Sequence, residues 1–327
     1  MLSILLIKTS SLGDVVHNLP VVGDIRGASP DITIDWVVER SFSAIPALHP
    51  GVRTVIPCEL RRWRRSWLTR ATRREWGEFV TRLRSTRYDA IIDTQGLLKS
   101  ALIARFAYGT RYGLDWESSR EPLRLFYDKT FNVPWGQHAV ARNRELTALA
   151  LGYEPQGEPD YGMRCMPSTA AWLPSKPYVV LLHATSHSRK LWPEPSWVGL
   201  GVPLAARGYS LLLPWGAEEE HARAKRLAVA IPSACVAPAL GLAELAAVLS
   251  GAAAAIGVDT GLTHLAAALG VPVVGIYGAT DPKATGVCAA TPAANLGGQG
   301  RFPSVDEVIG ALEALGALHR DPGVRQP

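Results

Sequence analysis

The first twenty residues, MLSILLIKTSSLGDVVHNLP, leave this chain few folds to choose from. Leu2 to Ile7 is an unbroken apolar run, the pattern of a parallel strand covered on both faces. It stops at Lys8. A polar turn with one glycine follows, Thr9-Ser10-Ser11-Leu12-Gly13, and Asp14 opens a second apolar segment, Val15-Val16 to Leu19. Pro20 is expected to kink or end that helix. Strand, tight turn and helix begin a βαβ unit. In open α/β sheets, ligands sit where strand C-termini meet helix N-termini. Asp14 stands at such a junction and is the candidate catalytic base; the plainer reading of the same residue is a helix N-cap.

The alternation continues down the chain. Strands are expected at Ile32–Val38, Val52–Ile56 and Tyr88–Asp93. Helices are expected at Ser43–Leu48, through Trp76, Phe79, Val80 and Leu83, and at His138–Leu151. A short polar stretch should follow the first helix, and Gly109–Gln137 reads as loop and short helix. Residues 152–177 hold five prolines and three glycines, the composition of an inter-domain connection. A second series then starts. Strands are expected at Tyr178–His183, Tyr209–Leu213, Ala252–Val258 and Val271–Tyr277. Helices are expected at Trp197–Arg207, Glu218–Ala230, Leu242–Ser250, Leu262–Leu269 and Val305–Leu318. Strands alternating with helices define an α/β fold with parallel sheets. Two Rossmann-like, doubly wound halves are therefore expected, with a cleft between them.

Of the 327 residues, 47% are hydrophobic, enough for two medium-sized cores. No run reaches the roughly 20 apolar residues that span a bilayer, and Met1 leads into a strand without the basic region of a signal peptide. Cys58, Cys165, Cys235 and Cys288 are scattered, so a reducing cytoplasmic setting with ordinary thiols is expected, and no structural zinc. The net charge of +5 is uneven: residues 1–166 carry 23 Lys and Arg against 18 Asp and Glu, and the remainder 11 against 11. The first half should meet the more anionic partner.

Four further stretches carry chemistry. Ala252–Val258 runs into Asp259-Thr260-Gly261-Leu262-Thr263-His264, where a helix start with its free N–H groups and dipole suits a diphosphate. Asp259 or Thr260 would equally serve as the cap of that helix. Leu181-Leu182-His183-Ala184-Thr185-Ser186 is a strand end bearing hydroxyls, with Lys190 close behind; hydroxyl and ammonium groups suit phosphate. His183 and His187 have metal-like spacing but lie on a strand and loop, with no supporting ligand. Leu211–Leu213 leads to Glu218-Glu219-Glu220 at a helix start, where a carboxylate can cap the helix or accept from ribose hydroxyls. Last, Arg61-Arg62-Trp63-Arg64-Arg65-Ser66-Trp67, with Arg70, Arg73 and Arg74 behind it, needs an anionic partner or much water. On a helix Arg61, Arg64 and Arg65 converge, and Trp63 and Trp67 could anchor the segment. Without any RNA or DNA motif, no nucleic-acid partner is expected.

Taken together, KTSSLGDVVHNLP, RRWRR, DTQGLLKSAL, HATSHSRKLWP, PWGAEEEHARAKRLA and VDTGLTHLAAALGVPVVGIYGATDP resemble glycosyltransferase family 9, the heptosyltransferases. The resemblance spans nearly the whole chain. It implies the GT-B architecture, with residues 1–165 binding the acceptor, residues 166–327 binding the donor, and the final helix able to pack back toward the first domain. It implies transfer of L-glycero-D-manno-heptose from ADP-heptose to the inner Kdo of Kdo2-lipid A, with inversion and with no metal or cofactor. A later core acceptor, or non-catalytic nucleotide or anion binding, are the alternatives.

By the same resemblance Asp14 is the general base. Thr185, Ser186, Lys190, Thr260, Gly261 and His264 would hold the diphosphate, with Asp259 in the same loop. Glu220 would meet the ribose, and the Leu240 backbone the adenine. Arg61, Arg62, Arg64, Arg65 and, more weakly, Arg120 would face the acceptor. The chain departs from the family pattern at Ser186 (often Thr), at Gly278-Ala279-Thr280 (often Gly-Pro-Thr) and at Leu240 (Met in a relative); each change keeps a hydroxyl or a backbone contact. Peripheral placement on the cytoplasmic face of the inner membrane is implied, with closure of the two domains over the Pro-rich connection.

Overall fold

The computed structural model describes residues 2–175, 177–289 and 291–318. The chain divides into two compact units, Met1–Arg164 and Cys165–Pro327. In the first, the elements run β1 (Ser3–Ile7), α1 (Leu12–Val16), α2 (Pro20–Ala28), β2 (Thr33–Glu39), α3 (Ala44–Ala47), β3 (Val52–Cys58), α4 (Leu60–Ser66) and α5 (Arg70–Arg84). They continue with β4 (Arg87–Asp93), α6 (Leu98–Phe106), β5 (Tyr108–Leu114), β6 (Lys129–Phe131) and α7 (Ala139–Leu151). The second unit runs β7 (Tyr178–Leu182), α8 (Glu194–Ala206), β8 (Ser210–Leu213), α9 (Glu218–Ala230), β9 (Ala234–Val236) and α10 (Leu242–Ser250). After these come β10 (Ala254–Val258), α11 (Gly261–Ala268), β11 (Val273–Tyr277), α12 (Pro282–Thr285), β12 (Ala293–Gly297) and α13 (Val305–Ala314).

Each unit holds one six-stranded sheet, and the paired strands are parallel. The orders are β3-β2-β1-β4-β5-β6 and β12-β11-β10-β7-β8-β9. Counted from its own first strand, the second sheet repeats the order of the first. That order is the doubly wound one, whose winding reverses between β1 and β4 and again between β7 and β10. The central strands are buried on both faces, as their apolar runs required: Leu5, Leu6, Ile7, Ile91 and Ile92 in one sheet and Val179 to Leu181 in the other are sealed from solvent. Helix α13 packs on α8, β11 and β12 of its own unit.

Three sequence expectations need correcting. Pro20 does not end the first helix; α1 already stops at Val16, and Pro20 occupies the first turn of a separate helix, α2, where its missing N–H costs nothing. The expected polar stretch there is therefore helical. Gly109–Gln137 contains strands β5 and β6, and β9 and β12 were likewise unanticipated. Of these, β6, β9 and β12 are outer strands, and β5 reads Tyr-Gly-Thr-Arg-Tyr-Gly-Leu. Strands at or near a sheet's margin need no continuous apolar run, so periodicity does not reveal them. No helix or strand lies within the described residues of 153–177, and among the described residues no helix is long and apolar enough to cross a membrane.

Candidate functional site

In unit 1 the reversal point lies between β1 and β4, and both strands deliver polar residues there. Lys8 continues β1 and is buried; its ammonium donates to the Thr94 carbonyl (2.7 Å) and to Asn143 Oδ1 (3.2 Å). Burial pushes the Lys8 ammonium down, while the charges of Asp14 and Asp93 resist that loss. Asp93, at the end of β4, is sealed in, and burial pushes its carboxyl up. It accepts from the Tyr127 hydroxyl (2.7 Å) and from the backbone N–H groups of Gln95 (2.9 Å) and Gly96 (3.2 Å).

The turn that carries Asp14 is clamped from β4. Gln95 Oε1 accepts from the Thr9 N–H (2.9 Å), the Thr9 hydroxyl (3.2 Å) and the Ser10 N–H (3.0 Å). Lys99 Nζ donates to the Ser10 hydroxyl (2.8 Å). Asp14, in the first turn of α1, accepts from the Ser11 N–H (2.7 Å) and hydroxyl (2.9 Å) through Oδ2. The N-cap of α1 is Ser11, not Asp14; Asp14 is the third residue of the helix and reaches back to the N-cap in a capping box, and it is only half-buried, so its carboxylate is not sealed in packing. Gln95 and Lys99 were not among the sequence candidates; their position after β4, the strand beside β1, was the available signal.

The arginine run forms α4 as expected. Arg61, Arg64 and Arg65 line one open cavity together with Lys99. Arg62 does not join them: it is bound by Glu59 and Glu75, and Glu75 also accepts from the buried Trp63 indole (2.9 Å). Trp63 anchors the helix as anticipated, against Trp76 and Phe79, whereas Trp67 touches Trp76 but stays 47% exposed. Arg120 lies over the Trp135 ring, 5.6 Å from its centroid, beside Arg142 at 3.9 Å. Arg142 is a cation that sequence reading passed over. Burial, then the nearby Arg120, pushes it below the usual guanidinium range, and its Nη2 donates to the Ser118 carbonyl (2.8 Å).

In unit 2 the reversal point lies between β7 and β10, and Asp259 is its hub. Lys190 Nζ sits 2.7 Å from Asp259 Oδ2. The Thr280 hydroxyl, beyond β11, donates to the same oxygen at 2.6 Å. The Thr185 hydroxyl, beyond β7, donates to the Asp259 carbonyl at 3.2 Å. Three adjacent strand ends are so drawn together. Thr260 occupies the N-cap position of α11, but its hydroxyl makes no capping bond, which leaves the side chain available to a ligand. Gly257 admits Thr263 against β10, where the Thr263 hydroxyl donates to the Val258 carbonyl (2.7 Å). Gly261 opens α11, His264 is buried one turn on, and Ser186 is exposed on its loop. Only the fold brings Thr280 to this site, since no local pattern links it to Asp259.

Glu220 caps α9: its Oε2 accepts from the Gly216 (2.7 Å) and Ala217 (3.3 Å) N–H groups. Leu240 is half-buried in the loop between β9 and α10. His183 is fully buried, and burial with the Arg223 guanidinium pushes its imidazole down to about 4. His187 is exposed, so the metal-like spacing of the two histidines brings no shared site, and among the described residues no three potential metal ligands cluster.

Two doubly wound units, each with polar groups gathered at its reversal point, define the GT-B type of α/β fold. The family model for glycosyltransferase family 9 (heptosyltransferase) matches residues 76–307. The lipopolysaccharide heptosyltransferase 1 of Pseudomonas aeruginosa is 49% identical over 286 residues, covering 86% of this chain and 80% of that protein. The solved structure of the E. coli heptosyltransferase WaaC with ADP matches at a TM-score of 0.89 and 41% identity, over 96% of this chain and 100% of the other. The same enzyme with ADP-2-deoxy-2-fluoro heptose matches at 0.85 and 41%, over 96% and 99%. The chain belongs to glycosyltransferase family 9 and is a heptosyltransferase.

Proposed function

We propose that this enzyme transfers L-glycero-D-manno-heptose from ADP-heptose to the inner Kdo of Kdo2-lipid A, in assembly of the lipopolysaccharide inner core. The observation that carries the reading is the 49% identity to a lipopolysaccharide heptosyltransferase 1 over most of both chains. The donor assignment is supported by the relative solved with ADP and with a fluorinated ADP-heptose.

The transfer is a single displacement with inversion. The acceptor hydroxyl attacks the anomeric carbon as ADP departs from the opposite face. Asp14 takes the hydroxyl proton, on a turn that Gln95 and Lys99 hold in place. Negative charge grows on the diphosphate as the bond breaks. Lys190, the hydroxyls of Thr185, Ser186 and Thr260, and the α11 start from Gly261 to His264 stabilise it without a metal. Lys190 is paired with Asp259 before the donor binds, so its ammonium is positioned in advance. Glu220 accepts from the ribose, and the Leu240 backbone meets the adenine. Arg61, Arg64 and Arg65 receive the acid groups of the acceptor, with Arg120 a further contact; Arg62, bound to two glutamates, serves α4 more than the ligand. Residues 1–165 form the acceptor domain and 166–327 the donor domain. The enzyme works as a peripheral protein on the cytoplasmic face of the inner membrane.

The test is ADP release from ADP-heptose with Kdo2-lipid A, with an already heptosylated acceptor, and with neither. Release with Kdo2-lipid A alone is expected. Release only with the heptosylated lipid assigns a later core acceptor, and binding of ADP-heptose without release in any arm refutes transfer.

A further inference from the structure

In unit 2 the Asp259 carboxylate is held from both sides of its own strand end. β10, which delivers Asp259, lies between β7 and β11. From the β7 side, Lys190 Nζ reaches Oδ2 at 2.7 Å. From the β11 side, the Thr280 hydroxyl donates to the same oxygen at 2.6 Å. Among the described residues, Oδ1 accepts no hydrogen bond. Asp259 is buried, and a carboxylate so far out of water depends on the donors it has. If Lys190 turns away, the Thr280 hydroxyl is what remains on Oδ2.

The two donors answer differently to a growing negative charge nearby. Lys190 is a cation on a flexible stem, its side chain 24% exposed against 11% for Asp259. Charge that builds on a bound diphosphate draws the ammonium and loosens its hold on Asp259. The Thr280 hydroxyl is neutral and stays where its turn puts it. Other contacts fix that turn. The Gly300 N–H donates to the Gly278 carbonyl at 2.9 Å, and the Phe302 ring packs where a Cβ on Gly278 would stand. Asp281 Oδ1 accepts from the Lys283 N–H at 2.9 Å. The turn is therefore held without the Thr280 hydroxyl, whose partner among the described residues is Asp259.

We propose that Thr280 is a positioning residue of the transfer: it keeps the Asp259 carboxylate supported while Lys190 turns from Asp259 to the departing diphosphate. The inference rests on the reading of this junction as the donor site. As the bond to heptose breaks, its electron pair goes to the diphosphate oxygen, and no proton moves at Thr280 or Asp259. The leaving ADP thus bears more negative charge than the diphosphate of ADP-heptose. Lys190 is drawn hardest in the transition state and in the ADP complex, and there the Thr280 hydroxyl matters most. Its loss falls on kcat and on ADP affinity, and leaves KM for ADP-heptose nearly unchanged.

The test is calorimetry with ADP, together with turnover of ADP-heptose, in Thr280→Val, Thr280→Ser and a cycle with Asp259→Asn. Valine keeps the shape of threonine and removes the hydroxyl. Thr280→Val should weaken ADP about tenfold and lower kcat by a similar factor, with KM for ADP-heptose within about twofold of wild type. Thr280→Ser, which keeps the hydroxyl, should bring both back to within about threefold. Asp259→Asn removes the charge that would be left unsupported. In that background, adding Thr280→Val should change ADP affinity less than about twofold. An equal loss in both backgrounds means that Thr280 meets the diphosphate itself, and overturns the proposal. The split between kcat and KM needs no second variant: a direct contact would raise KM as well, and a rise matching the fall in kcat also overturns it. So does wild-type ADP affinity and kcat in Thr280→Val, even where its urea midpoint falls. In each of these cases, binding of ADP by the wild type leaves the donor reading standing. A folded wild type that binds no ADP removes the donor site, and the role of Thr280 with it.

Discussion

Two roles are proposed for Asp14, proton acceptor and helix-capping group, and Asp14→Asn separates them. One oxygen of the carboxylate already holds the Ser11 N–H and hydroxyl. An amide oxygen can keep accepting there, so the cap should survive with little loss of stability. The amide cannot take up a proton at neutral pH. Turnover should fall about 10²–10⁴-fold while ADP binding, followed by calorimetry, stays near wild type. Near-normal turnover would leave Asp14 as a cap only. Lys190 tests the other unit. Lys190→Ala leaves the mostly buried Asp259 carboxylate without its cation. It should lower stability by about 1–3 kcal/mol in urea unfolding and weaken ADP-heptose binding at the same time.

His183 gives a pH dependence. Its imidazole is pushed down to about 4 when folded, against an ordinary value near 6.5. Above 6.5 neither state binds the proton and the full contribution is present. Between 6.5 and 4 the unfolded chain binds a proton that the folded chain refuses, so stability drops as pH falls through that window. The loss amounts to at most about 3 kcal/mol at pH 4. Urea unfolding of wild type and His183→Gln at pH 7, 6, 5 and 4 measures it; equal slopes in the two proteins would contradict the assignment.

At the level of elements, the turns matter more than the strands and helices they join. Gln95 reaches from the end of β4 to hold three donors of the β1–α1 turn. Gln95→Ala should loosen that turn, lowering kcat by about 10- to 100-fold with donor affinity unchanged, because misplacement of a base near the ångström scale costs that much. A matching loss of donor affinity would mean the clamp serves something else. At the β10–α11 junction, a Cβ on Gly257 would stand 2.1 Å from Thr263 Oγ1 and 3.0 Å from Leu182 Cβ. Gly257→Ala should destabilise by about 1–3 kcal/mol in urea unfolding, and an unchanged midpoint would show that Thr263 can move aside. Central strands such as β1 and β7 were legible because burial on both faces demands apolar residues throughout. Outer strands such as β6 and β9, of three residues each, were not, since hydrogen bonding to a neighbour rather than composition makes them strands. The α1–α2 break is hidden from the sequence for a related reason: a proline in the first turn of a helix and a proline ending one look alike until the backbone is traced.

Across the whole molecule, one topology is used twice and charge differs between the copies. The net excess of +5 lies entirely in residues 1–166. Binding to vesicles with anionic lipid should therefore weaken steeply between 0.05 and 0.5 M salt, on the order of 1 kcal/mol for each basic residue engaged. Arg61→Ala with Arg64→Ala and Arg65→Ala should reduce it at every salt concentration. Sedimentation that ignores both salt and substitution would remove the electrostatic account.

By itself, the order of apolar runs and glycine-containing turns determined that this chain makes parallel α/β units with polar groups at strand ends, because local periodicity reports which faces are covered. Its stretches also marked Asp14, Lys190, Asp259 and the α4 arginines. Only the tertiary structure decided which of these meet. Strand order placed Gln95 against the Asp14 turn and Thr280 against Asp259, and side-chain pairing took Arg62 away from Arg61, Arg64 and Arg65. Such choices depend on contacts between residues far apart in sequence, and no local pattern encodes them.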